Sequence, residues 1–468
     1  MRIASIYTQK LQTDPKIQHA IDEPYGLEMI MAVARREGHR AKLFFHTGDT
    51  DEFVEEVNKF SPDIAAFSLY TCQYPAGKRI ASKLKEANPN IITVAGNRYP
   101  TFLKYAEEPF DIFVLKEGEV TFSELLNTID NSQSINNVKG ISFRRDGKSI
   151  FTGLCERNFN LDALPIAMRS SDIFNQAYKC ISIPPLSENP HYAIMEYSRC
   201  CYNACKFCDN PEFWGNKIVF RSPDNVLDEM FLLKDVGIDI FYFIDLNFTA
   251  VPEKTTELCE KIKKRKLKTS WYCMSNIATT DNNDYVLDAM KDAGCYKIAW
   301  GVESTSDNAL KKMNKMVGEN LTTNDQTIRV LDKSLKKGLL NQGYYIIGFP
   351  WETEESILKD AEKLRYMPLH QLNIGIFTPI PLSRFHREMV EQGYSFEPNL
   401  EKHDRNTLIY NHKTLTNEKI KELQQKIYDD FYSSPEYKNR LETSCRINPK
   451  LKKSFNDYFE FIGKRVEI

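Results

Sequence analysis

No stretch of about eighteen uninterrupted apolar residues occurs in this chain, so no segment is expected to cross a bilayer as a helix. A surplus of charge is missing too. Lys and Arg total 62 against 64 Asp and Glu, which leaves no global field to draw nucleic acid or an anionic membrane. No export signal is apparent, because Met1-Arg2-Ile3-Ala4-Ser5-Ile6-Tyr7 reads as an immediate β-strand. Eleven cysteines, an odd number without such a signal, argue against a disulfide framework and for a reducing interior with thiols free for metal. The expectation is a cytoplasmic protein. The last 85 residues hold one cysteine, Cys445, too few for a metal cluster of their own.

At 468 residues and 42% hydrophobic content the chain has room for two or three domains with real cores. Residues 1–150 alternate β-rich runs (Arg2–Thr8, Ala41–His46, Ile64–Thr71, Ile91–Ala95, Asp111–Lys116) with helical patterns. That alternation predicts a Rossmann-like, doubly wound parallel sheet whose ligands bind in loops beyond the carboxyl ends of the strands. The candidate loops are Tyr70–Pro75, Gly96–Thr101 and Lys116–Thr121. Residues 151–190, rich in proline, read as a linker. From 191 to 385 six further strand–helix units follow, predicting a partial (β/α)6 barrel with its chemistry at the strand ends. Residues 386–468 read as a mostly helical C-terminal segment, with Ile420, Leu423, Ile427 and Phe431 as a packing stripe.

The loop directly after the first barrel strand carries the chemistry. Cys201, Cys205 and Cys208 are spaced C-x3-C-x2-C within Arg199-Cys200-Cys201-Tyr202-Asn203-Ala204-Cys205-Lys206-Phe207-Cys208. Three thiolates can hold three irons of a cubane cluster and leave the fourth iron open; four would saturate it for electron transfer. The plain alternative is a structural zinc site, which needs a fourth ligand and usually draws on two separated pairs. Adjacent Cys200 would be a strained choice.

The spacing, with aromatic Phe207 before the last cysteine, resembles the radical S-adenosylmethionine (SAM) enzymes. Later strand ends extend the likeness: Asp245-Leu246-Asn247-Phe248-Thr249, Gly301-Val302-Glu303-Ser304, Pro350-Trp351-Glu352-Thr353 and Thr378-Pro379-Ile380-Pro381. This series resembles D-D-x-F-T, G-x-E-S, P-G-E-T and T-P-x-P-G-T of the members that carry an N-terminal cobalamin (B12)-binding domain. Upstream, Pro62–Ser68, Gly96-Asn97-Arg98-Tyr99-Pro100-Thr101 and Lys116-Glu117-Gly118-Glu119 resemble that domain's P-D-(I/V)-(V/A)-x-x-S, G-G-x-H-P-T and G-E-G-E. The likeness covers about residues 1 to 385. Four family glycines are replaced, by Asn97, Lys116, Trp351 and Leu382, and no D-x-H-x-x-G histidine is present to ligate cobalt.

The resemblance implies a [4Fe–4S] cluster on Cys201, Cys205 and Cys208, reductive cleavage of SAM and a 5′-deoxyadenosyl radical. It implies SAM contacts from Phe207, Asp245, Asn247, Glu303, Ile347 and Gly348. Asp245 or Asn247 would meet the methionyl amino group and Glu303 the ribose, with a salt bridge to a barrel lysine as the bland alternative for Glu303. Cobalamin contacts are implied at Ser68, Thr71, Gly96, Asn97, Thr101, Glu117, Gly118 and Glu119. Methylation of an unactivated carbon is the implied reaction. A cobalamin-free cyclisation or rearrangement and a non-enzymatic cobalamin or iron–sulfur sensor are the alternatives. Partners would be a small-molecule or peptide substrate and a reductant such as flavodoxin or ferredoxin, with no nucleic acid.

Overall fold

The computed structural model describes residues 1–8, 23–46, 48–169, 192–281, 283–317 and 320–461. Linker residues 170–190 and His191, the predicted start of the first barrel strand, lie outside that set. The chain divides into two units, Met1–Ala177 with Glu397–Asp404, and Tyr178–Phe396 with Arg405–Ile468. Residues 151–169 thus group with the first unit, as does a short piece of the C-terminal segment.

In the first unit β1 (Arg2–Thr8), β2 (Arg40–His46), β3 (Ile64–Ser68), β4 (Ile92–Gly96) and β5 (Ile112–Val114) join an antiparallel pair, β6 (Ile141–Arg145) and β7 (Lys148–Phe151). Their order is β2-β1-β3-β4-β5-β6-β7, parallel through β5. Strands buried on both faces must read as short apolar runs, and β3 (Ile-Ala-Ala-Phe-Ser) and β5 (Ile-Phe-Val) do. Phe44, Phe67, Phe110 and Phe113 fill the core against helices such as Tyr74–Ala87. The order reverses between β1 and β3, and the loops after β3 and β4 rise beside that switch point, where such sheets bind ligands. The β6–β7 hairpin turns on Asp146-Gly147 with φ +51° and +73°, an Asp-Gly turn signal that the strand reading passed over.

The second unit opens with β8 (Tyr192–Met195) and a small antiparallel pair, β9 (Ser198–Arg199) and β10 (Val219–Phe220). Next come β11 (Ile240–Phe243), β12 (Ser270–Ser275), β13 (Cys295–Glu303), the hairpin β14 (Met316–Val317) and β15 (Asn320–Leu321), β16 (Leu340–Ile347) and β17 (Gln371–Ile376). Its main sheet runs β8-β11-β12-β13-β16-β17, six parallel strands in chain order with helices between them, the expected partial barrel. Helices return to the sheet through hydroxyl caps: Ser222, Ser306, Thr323, Thr353 and Ser383 each accept a first-turn N–H.

Helices Asn417–Tyr432, Pro435–Ile447 and Leu451–Phe461 complete the unit. The stripe Ile420, Leu423, Ile427 and Phe431 is buried, as its spacing predicts. The Arg440 guanidinium donates to the carbonyls of Leu369 and Arg365, and the Tyr437 hydroxyl to that of His370. Burial and Arg440 push the His370 imidazole down to about 3, so it is neutral, accepting from Asn341 N–H and meeting Ser444 Oγ at 2.7 Å.

Candidate active site

β8 ends three residues before the cysteine loop, and a buried carboxylate fixes the turn between them. Asp245, just past β11, accepts from Tyr197 N–H (3.1 Å), Ser198 N–H (2.5 Å) and Ser198 Oγ (2.5 Å). Complete burial pushes this carboxyl up to about 7 despite those donors. Both its oxygens are thus engaged by the chain just ahead of the cysteines. Outer contacts hold the loop itself: Lys206 N–H donates to Met313 O (2.9 Å), Asn314 Nδ2 to Ala204 O (2.9 Å) and Phe385 N–H to Lys206 O (2.8 Å).

Burial pushes the thiols of Cys201 and Cys205 up to about 11. The nearby Asn203 main-chain N–H and the Lys315 ammonium work against that rise at Cys201. Cys200 adopts φ +86° and donates its S–H to Gly215 O, which turns it to another task. All ten cysteines among the described residues are free thiols.

Glu303, at the end of β13, receives Lys315 Nζ on Oε1 at 2.7 Å, and both side chains are 10% exposed or less. The salt bridge considered for Glu303 is therefore made. Lys315 is a residue the sequence reading missed; it stands in no motif, and the hairpin-side turn at 313–315 delivers it. Burial opposes its charge, but Glu303 and the nearby Cys205 and Cys201 hold the ammonium above the usual lysine value. Gly301 makes room for the pair: a Cβ there would lie 2.6 Å from Glu303 Oε1 and 2.7 Å from Lys315 Nζ.

At the end of β16, Gly348 has φ +88°, and a Cβ would come within 2.5 Å of Ile420 Cδ1. Gly348 and Phe349 N–H groups donate to Glu352 Oε2 at 2.6 and 2.8 Å, while burial pushes Glu352 up to about 7. Ile347 is buried beside them. Phe349 stacks on Trp351 and Phe377 with centroids 4.7 and 4.3 Å apart, and Phe207 packs against this aromatic group. Asn247 Oδ1 accepts from Asn276 N–H (3.1 Å) and Thr249 Oγ1 (3.4 Å); its Nδ2 has no partner. Because a backbone N–H can only donate, that contact fixes which amide atom is oxygen.

In the first unit the predicted loop residues meet in one network. Asn97 Nδ2 donates to Ser68 Oγ (2.9 Å), Thr101 Oγ1 to Asn97 O (2.7 Å) and Lys116 N–H to Thr101 Oγ1 (2.8 Å). Gly96 ends β4, and Thr71 opens the 3-10 turn Thr71–Gln73 after β3. Glu117 pairs with Arg157 at 2.8 Å, while Gly118 caps and Glu119 begins the helix Glu119–Asp130.

The radical SAM superfamily pattern matches residues 195–364, and the B12-binding domain pattern matches residues 21–126. The chain belongs to the radical SAM enzymes that carry a B12-binding domain. An uncharacterized methyltransferase of Pyrococcus horikoshii is 27% identical over 421 residues, 88% of each chain. The anaerobic magnesium-protoporphyrin IX monomethyl ester cyclase of Rubrivivax gelatinosus is 26% identical over 356 residues, 74% of this chain and 62% of that one. In fold, the chain is similar to the cobalamin-dependent SAM radical enzyme OxsB, solved with aqua-cobalamin and SAM (TM-score 0.70, 16% identity, 99% of this chain and 75% of that one). Cofactors of this radical SAM group are a [4Fe–4S] cluster, SAM and cobalamin. No helix among the described residues is long and apolar enough to cross a membrane.

The residues present fit these groups. Among the described residues, no three His, Cys, Asp or Glu side chains are gathered as ligands of one metal ion, whereas cubane thiolates each take a separate iron. Buried amide atoms without partners, Asn203 Oδ1 and Nδ2 and Asn247 Nδ2, sit in the cysteine loop and just past β11. Leaving such a group unpaired costs about 1–3 kcal/mol, which suits a site completed by a polar ligand. Three of the four residues that stand at family glycines, Asn97 and Lys116 in the first unit and Leu382 in the second, have φ of +83°, +62° and +75°, in the region that favours glycine. At Asn97 and Lys116, beside Gly96 and Glu117, the backbone thus holds a conformation that glycine adopts freely.

Proposed function

We propose that this radical SAM enzyme is a cobalamin-dependent methyltransferase that acts on an unactivated carbon of a small-molecule or peptide substrate. One observation carries the reading: Cys201, Cys205 and Cys208 stand on a single braced loop after β8 and the short β9, in a chain whose first unit is a B12-binding domain. The methyltransferase relative, similar over 88% of its length, supports the choice of reaction.

When bound, the cluster supplies the electron that cleaves the sulfonium bond of SAM, and cobalamin supplies a transferable methyl group. Cys201, Cys205 and Cys208 hold the cluster. Asp245 acts as a positioning residue, because its oxygens are taken by Tyr197 and Ser198. Asn247 acts through Nδ2 as a donor, to the carboxylate or a hydroxyl of SAM, since its oxygen is already engaged. Glu303 keeps one oxygen for SAM while Lys315 holds the other. Phe207, Ile347 and Gly348 offer an apolar wall and backbone for adenine. Ser68, Thr71, Gly96, Asn97, Thr101, Glu117, Gly118 and Glu119 line the strand ends that hold cobalamin. A flavodoxin or ferredoxin supplies electrons.

The test is anaerobic reconstitution with iron, sulfide and cobalamin, then metal analysis after desalting and product analysis with SAM and dithionite. The expected result is near-stoichiometric cobalt, and 5′-deoxyadenosine together with S-adenosylhomocysteine once substrate is supplied. Iron without cobalt, with 5′-deoxyadenosine alone, would move the assignment to cobalamin-free cyclisation or rearrangement. No SAM consumption would leave a sensor.

A further inference from the structure

We propose that the Asn203 carboxamide donates a hydrogen bond to a sulfur of the [4Fe–4S] cluster and so raises the cluster's reduction potential, making Asn203 a positioning and redox-setting residue. The inference rests on the radical SAM reading of the cysteine loop.

Asn203 lies midway between Cys201 and Cys205, and its main-chain N–H is near enough to the Cys201 sulfur to work against the rise of that thiol. Its side chain is 6% exposed, yet neither Oδ1 nor Nδ2 has a partner. The rest of the loop is satisfied from outside, with Ala204 O taken by Asn314 Nδ2, Lys206 N–H by Met313 O and Lys206 O by Phe385 N–H. The carboxamide is the polar group those contacts leave over. In a loop this well braced, an apolar side chain of equal size would avoid the cost of a buried, unpaired amide.

The cluster sulfurs are the acceptors that the loop itself calls for. Asn203 stands in the chain between two of the three cysteines, and its buried carboxamide has no partner of its own. A cluster gains negative charge on reduction, so a donor dipole fixed at its sulfurs favours the reduced form; hydrogen bonds to sulfur are among the levers that set such potentials. The electron comes from the external reductant, and Asn203 neither gains nor loses a proton.

Wild type, Asn203→Leu and Asn203→Asp are reconstituted and titrated with dithionite without SAM, following the reduced cluster by electron paramagnetic resonance. Asn203→Leu should lower the midpoint potential, with the reduction equilibrium falling tenfold, about 59 mV for one electron. Asn203→Asp, isosteric but unable to donate, should lower it at least as far. The cluster-free Leu variant should melt at the same temperature as cluster-free wild type or higher, because it buries no unpaired amide. An unchanged potential, a cluster-free variant that melts lower, or a shift seen only with SAM present would each overturn the proposal. A wild-type protein that takes up no iron and sulfide would instead overturn the radical SAM reading beneath it.

Discussion

At Lys116 the backbone takes φ +62°, a left-handed conformation that costs an L-residue roughly 1–2 kcal/mol and glycine nothing. Its N–H serves Thr101, which does not depend on the side chain. Lys116→Gly should therefore stabilise the first unit, by about 0.5–1 kcal/mol once the added chain entropy of glycine is charged against the relief. Urea unfolding at neutral pH reads that gain, and a loss would show that the lysine side chain earns its place by contacts. The buried pair Lys315–Glu303 makes the opposite case. Removing one partner strands the other, so Lys315→Met should cost about 3–5 kcal/mol, whereas Lys315→Met with Glu303→Gln should cost less than either single change. The double-mutant cycle by denaturant unfolding checks this, and additive losses would contradict it.

At the scale of elements, the turn that ends β16 is held by one carboxyl. Glu352 accepts from two backbone N–H groups and is pushed up from its ordinary 4.5 to about 7, chiefly by burial. Folded protein then binds a proton that unfolded chain has released between those values, so this group's contribution is full below 4.5 and is lost as pH rises through 7. The loss is of order 3 kcal/mol, taken at about 1.4 kcal/mol per pH unit. Unfolding free energy measured from pH 5 to 7.5 should fall with pH in wild type, with a shallower fall in Glu352→Gln. Equal slopes would remove Glu352 as the cause.

Elements also show what was legible in the sequence. Parallel strands announced themselves because burial on both faces leaves runs such as Ile64-Ala65-Ala66-Phe67, and the barrel strands followed from the same pattern. The cysteine loop was legible because three thiolates at fixed spacing have few other uses. Lys315 was not, since a lysine becomes part of a site only when Met313 and Asn314 dock on the loop 110 residues away. Asp245 looked like a ligand by its place after β11; that its oxygens are used locally is a fact of register, invisible in the motif. Trp351 stands where the resemblance has glycine, within the turn after β16, and stacks on Phe349.

Across the whole molecule, the chain visits the first unit twice. Residues Glu397–Asp404 group with Met1–Ala177, where Leu400 packs on that unit's core and Arg79 meets Glu401 at 2.7 Å. The surface ion pair is worth little, about 0–1 kcal/mol, so Leu400 must do most of the holding. The turn Thr71–Gln73 and the helix Tyr74–Ala87 lie under this segment and neighbour the strand ends assigned to cobalamin. Leu400→Asp would expel the segment from its apolar seat while leaving β1 to β5 paired. Amide hydrogen exchange in full-length protein should then quicken at residues 71–87 and stay unchanged in the β-sheet core, reporting a local opening rather than unfolding. If exchange rises equally across the first unit, the segment is part of that unit's global stability. If it rises nowhere, Leu400 holds nothing. The local outcome would mean that a piece of chain lying beyond the barrel strands in sequence helps to shape a loop of the B12-binding domain.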